Sequence, residues 1–191
     1  MKRISVVLSA VILVAMVAAP AGAQAPARNS AACSVTLVEL FSPGFTLTPS
    51  SGHQESAGPG VLDCTGTIQG HKITGPGTTT NSGSYHHSTC LLDRADGAVS
   101  MVLPTDKGQL TVEGTFQVTR VGALLSVRID LPEAVAEGVA VVVPTKGDCV
   151  LNPVTEALVL MSFGIHDRPA PAATTCDADL VVVRIGCRSR S

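Results

Sequence analysis

Strict alternation of apolar and polar side chains in the segment LTVEGTFQVT, residues 110–119, limits the choice of fold most strongly. The apolar phase contains Leu110, Val112, Gly114, Phe116 and Val118. A period of two places successive side chains on opposite faces of an extended strand. The other phase consists of threonine, glutamate and glutamine, which suit a face in contact with water. The segment therefore predicts a β-strand with one buried and one hydrated face.

The segment LSVRIDL, residues 125–131, repeats the alternation and is expected to pair with the first strand as a hairpin. Side-chain parity permits only a connection with an even number of residues. A two-residue connection would place Val121 at a turn position that favours positive φ, and would set two acidic residues opposite each other. We therefore predict a four-residue connection, residues 121–124, with Gln117 opposite Arg128.

Shorter apolar stretches predict eight further strands, at residues 35–41, 61–68, 72–78, 85–91, 98–103, 138–143, 156–162 and 180–185. Turns rich in Gly, Pro and Asp separate many of them at intervals of roughly 8 to 12 residues. Residues 42–60 and 131–140 lack the alternation and are expected to be mainly loop. The predicted fold is all-β, an antiparallel β-barrel or β-sandwich of about 8–10 strands stapled by disulfides.

The N-terminal residues MKRISVVLSAVILVAMVAAPAGAQA have the three parts of a secretory signal peptide. Lys2 and Arg3 give a basic start, an apolar run follows, and small residues precede an expected cleavage after Ala23. An uncleaved anchor is the alternative, because the run is close to the length of a membrane span. Residues 1–23 therefore predict an extracellular or cell-wall protein with no membrane span after cleavage.

Composition divides the rest of the chain into four parts. Residues 24–32 are small and polar and are expected to form a flexible arm, and residues 33–165 form the β domain. Residues 166–175 form a Pro/Ala linker. Residues 176–191 hold the last predicted strand, bracketed by two cysteines, and a basic tail. The β domain has the length of one ordinary domain.

Six cysteines follow the predicted cleavage site, and an even number in an exported chain predicts disulfides. They are Cys33, Cys64, Cys90, Cys149, Cys176 and Cys187. The last two bracket a short predicted strand and are the preferred pair, which leaves the other four to pair among themselves. The pairing among those four stays open at this point.

Charge and aromatic content argue against several partners. The formal charge is −2, and the loss of Lys2 and Arg3 with the signal peptide makes it −4. Nucleic acid needs a basic face, so it is not an expected partner. The chain has no Trp and one Tyr, whereas sugar-binding modules stack sugars on platforms of these residues.

The segment GSYHHSTC, residues 83–90, concentrates side chains that could bind a metal or act in catalysis. Zinc needs three or four ligands that converge, and the adjacent His86 and His87 would face opposite ways on a strand. Cys90 is accounted for by a disulfide. No catalytic, cofactor-binding or metal site is therefore predicted, and no cofactor. The alternative is a hydrolase that uses His71, His86 or His87 with a nearby carboxylate.

Three segments together resemble a group of uncharacterised, short secreted β proteins of high-GC actinobacteria. The segments are GVLDCTGTIQGHKITGPGT, VLPTDKGQLTVEGTFQVT and PTKGDCVLNPVTEA, and they fall within residues 61–162. The group has no assigned activity, so the resemblance implies only export and a disulfide-bonded β domain. It carries over no catalytic residue.

The functional hypothesis is a secreted, non-catalytic β domain that binds an apolar small molecule or a partner in the cell envelope. A barrel with an interior ligand site is one form of this hypothesis, and polar residues that converge on an apolar cavity would favour it. Besides the hydrolase, the second alternative is an inhibitor of a secreted protease, with the predicted loop at residues 42–60 as bait.

Overall fold

The computed structural model describes residues 27–90, 94–121 and 124–169, and these contain ten β-strands. The strands are β1 (Ser30–Phe45), β2 (Ser50–Ser56), β3 (Gly60–Ile68), β4 (His71–Lys72), β5 (Gly77–Ser88), β6 (Arg94–Thr105), β7 (Gly108–Val121), β8 (Leu124–Asp130), β9 (Ala134–Lys146) and β10 (Val154–Asp167). Within these ranges no helix is long and apolar enough to span a membrane.

The strands form a closed antiparallel barrel. From β5 to β10 each strand pairs with the next along the chain, and β10 pairs with β1 to complete the ring. Both β2 and β3 pair with β1 on one side and with β5 on the other, so together they fill one position. The two-residue β4 only extends β3. Of the two predicted architectures, the barrel is therefore the one that forms, with eight positions in its ring.

The register of the predicted hairpin is confirmed. Gln117 lies opposite Arg128 in the ladder between β7 and β8. The ladder continues to a pair between Val121 and Leu124, so the connection is shorter than predicted. The residues inside it, 122–123, lie outside the described residues.

Two segments predicted to be mainly loop are largely strand. Within residues 42–60 lie the end of β1 and all of β2. The sequence of β2, SSGHQES, has little apolar alternation, and its backbone is held extended by hydrogen bonds to β1 and β5. Residues 131–140 include the start of β9, which begins at Ala134. In both cases pairing with neighbouring strands outweighs local propensity.

The prediction of a strand at residues 72–78 is wrong for the middle residues of that segment. Its first residue ends β4, and its last two residues begin β5. Between them, Ile73 makes an isolated bridge to Thr105. This segment therefore turns at the barrel end instead of crossing the barrel wall.

The boundaries of the β domain lie further out than predicted. The predicted arm, residues 24–32, overlaps β1, which begins at Ser30. Asn29 is buried, and its side-chain amide donates to Asp167 Oδ1 over 2.8 Å. Asp167 is the last residue of β10, so β10 extends into the predicted linker, residues 166–175. The part of the chain after residue 169, with the predicted strand at 180–185, lies outside the described residues.

Two disulfides join the four cysteines that were expected to pair among themselves. Cys33 and Cys64 lie directly opposite each other on β1 and β3, with Cα atoms 4.1 Å apart and both side chains buried. Cys90 pairs with Cys149. The preferred pair of Cys176 with Cys187 falls outside the described residues.

Candidate ligand-binding site

The interior of the barrel contains a cavity of about 60 Å³, lined by inward-facing side chains from every position of the ring. Most of the lining is aliphatic or aromatic, as expected from the period-two pattern of the strands. Four lining side chains are polar: Glu39, Gln54, Thr79 and Asn81. They lie on β1, β2 and β5, which are adjacent in the ring, so one side of an otherwise apolar cavity is polar.

A buried hydrogen bond organises the polar side of the cavity. The side-chain amide of Asn81 donates from Nδ2 to Glu39 Oε1 over 2.5 Å. Glu39 is only 4% exposed. Both residues belong to barrel strands whose apolar neighbours line the same cavity. The carboxylate therefore lies in the barrel wall with an amide from a different strand as a partner.

A small residue between the two partners explains how they meet. Ser56, on β2, lies opposite Glu39 in the ladder between β1 and β2. The hydroxyl of Ser56 accepts from the Asn81 backbone N–H over 3.1 Å and donates to the Asn81 carbonyl over 3.3 Å. Because serine is short, the longer side chain of Asn81 reaches past it to Glu39 on β1.

Two further groups in the cluster have oxygen atoms that can accept hydrogen bonds. Asn81 Oδ1 is buried and has no hydrogen-bond partner among the described residues. Thr79 uses its hydroxyl hydrogen to donate to the Ser100 carbonyl over 3.1 Å, which leaves the oxygen lone pairs for acceptance. The polar side of the cavity is therefore rich in acceptors.

Sequence analysis did not single out these four residues, although one of them could have been found. In the predicted strand at residues 35–41, Glu39 has the same phase as Val35, Leu37 and Phe41. A glutamate in the inward phase of a strand is the pattern of a buried carboxylate. Asn81 had no such pattern, because it fell between two predicted strands.

The apolar side of the cavity includes two methionines, Met101 and Met161. Methionine has three rotatable bonds and adapts its shape readily. The observed cavity, at about 60 Å³, is much smaller than the pockets of roughly 300–1,000 Å³ that hold drug-sized ligands. A larger guest would therefore need these side chains to change rotamer.

A disulfide crosses one end of the barrel, which we call the strapped end. This end carries the connections β1–β2, β5–β6, β7–β8 and β9–β10. Cys90 lies in the β5–β6 connection and Cys149 in the β9–β10 connection, on opposite sides of the ring. Cys90 also donates its N–H to the Thr46 carbonyl over 3.1 Å and accepts from Arg120 Nη1 over 2.7 Å. Three connections are thus tied together across the opening.

Exposed apolar side chains surround the strapped end. They are Leu47, Leu124, Val150 and Leu151, of which Leu151 is 83% exposed. The opposite end has ion pairs instead, with Arg28 3.2 Å from Glu133 and Arg168 3.3 Å from Asp130. The strapped end is therefore the more apolar end of the barrel.

The only tyrosine, Tyr85, has a structural position below the strapped end. Its side chain is fully buried, and its hydroxyl donates to the Pro43 carbonyl. The rings of Tyr85 and Phe45 meet edge to face with centroids 4.6 Å apart. A Cβ at Gly52 would collide with the tyrosine hydroxyl, so only glycine fits beside it.

The adjacent His86 and His87 both face solvent, which corrects the expectation that they face opposite ways. His87 has a φ of 50°, and Ser51 is the only β2 residue opposite this pair of histidines. The extra residue is a β-bulge, which shifts the alternation by one. The His87 backbone N–H donates to Ser51 Oγ over 3.0 Å.

The histidines do not converge on one site. His86 Nε2 lies 3.1 Å from Asp96 Oδ1 on the outer surface. His71 lies on β4, at the end of the barrel opposite the strapped end. Among residues 27–90, 94–121 and 124–169, no three potential metal-ligating side chains form a group.

One further histidine lies near a hydroxyl and a carboxylate, but in the wrong geometry for a catalytic triad. Both Ser82 Oγ, at 3.5 Å, and Glu55 Oε2, at 3.8 Å, approach the same ring nitrogen of His53. A triad needs the acid on one ring nitrogen and the nucleophile on the other. All three side chains are exposed, so this contact belongs to the polar surface.

Among the described residues, the ionisable side chains with shifted pKa values lie on the surface and do not line the cavity. A hydrogen bond from Arg128 lowers the pKa of Asp130. A hydrogen bond from Lys146 lowers the pKa of Glu156. These carboxylates stabilise strand ends and do not line the cavity.

No family model matches the chain, and neither a curated protein nor a solved structure matches it.

Proposed function

We propose that this is an exported, non-catalytic binding protein that holds one small, mainly apolar molecule inside its barrel. The supporting observation is the Glu39–Asn81 hydrogen bond in the wall of an apolar cavity. A buried charge is costly, and apolar replacements of buried polar pairs are often neutral or stabilising. A ligand that uses this polar group would account for its presence.

The N-terminal sequence and the disulfides support an extracytoplasmic location. Residues 1–23 have the parts of a secretory signal peptide. The two disulfides fit an oxidising compartment, because cytosolic thiols are kept reduced. A location outside the cytoplasm is therefore part of the proposal.

The size of the cavity restricts the ligand. Pockets for drug-sized ligands are roughly 300–1,000 Å³. The cavity here is about 60 Å³, so a ligand of a few heavy atoms fits with modest movement of Met101 and Met161. A short-chain molecule is a better match than a long fatty acid.

Native mass spectrometry of the protein from its own culture supernatant tests the proposal. We expect the mass of the mature chain plus one small bound molecule. Ala140→Leu should lose the bound mass, because Ala140 is buried and lines the cavity. Val139→Leu, on the outer face of the same strand, is the matched control and should keep it.

A second variant covers the case in which Ala140→Leu fails to fold. Ala95 is also buried in the lining, on β6, so Ala95→Leu should displace the ligand as well. Far-UV circular dichroism would establish that each variant is folded. Interior binding would be contradicted by a wild-type protein that carries no bound mass. It would also be contradicted by a folded leucine variant that keeps the ligand although its cavity is filled.

A partner in the cell envelope is the second candidate function. The apolar side chains at the strapped end favour it, because exposed apolar patches often mark interaction sites. Val150→Ser with Leu151→Ser should then release the protein from the wall without loss of an interior ligand. Unchanged wall association would remove the support for this candidate.

A further inference from the structure

The orientation of the Asn81 amide is determined by its partner. With Glu39 ionised, an amide turned the other way would bring Asn81 Oδ1 against Glu39 Oε1, and two acceptors would meet without a hydrogen. Nδ2 must therefore face the carboxylate, as it does in the structure. Oδ1 then remains as an acceptor that is buried and has no hydrogen-bond partner among the described residues.

The other polar groups make the cavity strongly biased towards acceptance. Glu39 offers a carboxylate, and Thr79 has committed its hydrogen to Ser100. Among the described lining residues, the remaining side-chain donors are the amide of Gln54 and the second Nδ2 hydrogen of Asn81. Among the described residues that line the cavity, none is a Lys, Arg or His.

We propose that the interior site selects ligands whose polar group is a hydrogen-bond donor, namely a short-chain alcohol or amine, and rejects carboxylates. This inference rests on the proposed function, since it names the ligand class of that same site. An N–H or O–H group reaches Asn81 Oδ1 and the Glu39 carboxylate, while the chain lies against the apolar side. A carboxylate ligand would instead place its oxygens against Asn81 Oδ1 and the oxygens of Glu39, so that acceptors meet acceptors.

Four probes with six carbon atoms each separate these possibilities: hexan-1-ol, hexylamine, hexanoate and methyl pentyl ether. Binding to the purified, disulfide-intact protein can be followed by isothermal titration calorimetry at neutral pH. We expect the alcohol and the amine to bind at least about tenfold more tightly than hexanoate and the ether, since a charge-assisted hydrogen bond is worth that much or more.

The outcomes distinguish this inference from the function on which it rests. If the ether or hexanoate binds as tightly as the alcohol, the donor preference is wrong and interior binding stands. If none of the four probes binds, nor their shorter homologues, interior binding itself is wrong and the inference falls with it.

Charge removal at Glu39 gives a sharper readout within the site. Glu39→Gln keeps the size and the ability to accept from Asn81, and it should weaken hexylamine about tenfold more than hexan-1-ol. Hexanoate should gain affinity in the same variant. Glu55→Gln is the matched control, because Glu55 is exposed on the outer face of neighbouring β2. Equal losses for both probes would overturn the role of the Glu39 charge.

A variant at a neighbouring position keeps the test valid if Glu39→Gln does not fold. Thr79→Val preserves shape and removes one acceptor from the same wall. It should weaken the alcohol and leave the ether unchanged. A uniform change for both probes would contradict donor recognition.

Discussion

Asn81 on β5 donates a hydrogen bond to the buried carboxylate of Glu39 on β1, past the single intervening strand β2. This bond joins strands that are far apart in the chain, and it lies in the wall of the cavity. Stability and ligand selection therefore depend on the same pair of side chains.

Removal of one partner should destabilise the protein. Asn81→Ala leaves the Glu39 carboxylate without this donor, so the free energy of unfolding should fall by about 1–3 kcal/mol. Urea denaturation measures the change. Ser82→Ala, at the exposed neighbouring position, should change it by less than about 0.5 kcal/mol.

Replacement of both partners together tests the physical reason. In Glu39→Leu with Asn81→Leu, no charge remains to be compensated, so the double variant should be more stable than Asn81→Ala. A double variant that is less stable than Asn81→Ala would contradict this reason. It would show that the hydrogen-bonded pair stabilises the fold by more than it offsets the cost of burying its own polar groups.

The disulfide across the strapped end should control ligand exchange. Cys90→Ala with Cys149→Ala unties the connections above the cavity, so association and dissociation rates should both rise, by roughly tenfold. Stopped-flow or NMR exchange measurements would report the rates. Affinity should change little, because neither cysteine lines the cavity.

The other disulfide provides the control for this prediction. Cys33→Ala with Cys64→Ala removes a bridge within the barrel wall, which should lower stability by about 2–4 kcal/mol without a matching rise in both exchange rates. Equal acceleration in the two double variants would mean that general loosening, and not the strap, sets the exchange rates.

Tyr85 should contribute through its hydroxyl as well as its ring. Tyr85→Phe keeps the edge-to-face contact with Phe45 and leaves the Pro43 carbonyl without this donor. The free energy of unfolding should fall by about 1–3 kcal/mol in chemical denaturation. A fall below about 0.5 kcal/mol would mean that water replaces the hydroxyl.

The parts of the fold that depend on local pattern could be predicted from the sequence. Alternation identifies β7 and β8, and parity together with charge repulsion gives the correct opposition of Gln117 and Arg128. The even number of cysteines indicates disulfides. The inward phase of Glu39 also contains enough information to predict a buried carboxylate, although sequence analysis did not use it.

The parts that depend on distant pairing could not be predicted. The strand β2 is polar and becomes a strand because β1 and β5 supply its backbone partners. Closure of the barrel joins β1 to β10, at opposite ends of the described chain. Asn81 meets Glu39 only once these registers are set, so the candidate site is a product of long-range topology.

The pH dependence of stability should include a contribution from Asp148 in the β9–β10 connection. Its Oδ1 accepts from the backbone N–H groups of Val150, Leu151 and Asn152 at 2.9, 2.7 and 3.0 Å. These bonds, led by the one from the Asn152 backbone and followed by the one from Leu151, lower the pKa of Asp148 from 3.8 to about 2. Because the folded-state pKa is the lower one, the stabilisation is present above pH 3.8 and is lost as the pH falls towards 2.

Comparison with Asp148→Asn isolates that contribution. The difference in unfolding free energy between wild type and Asp148→Asn should be constant near neutral pH and should shift against the wild type as the pH falls from about 4 to 2. Urea denaturation at a series of pH values measures the difference. Asp63→Asn, on the outer face of β3, makes the same change in net charge and is the control. If the Asp148→Asn difference stays constant across that range, the three backbone hydrogen bonds do not stabilise the charged carboxylate in solution.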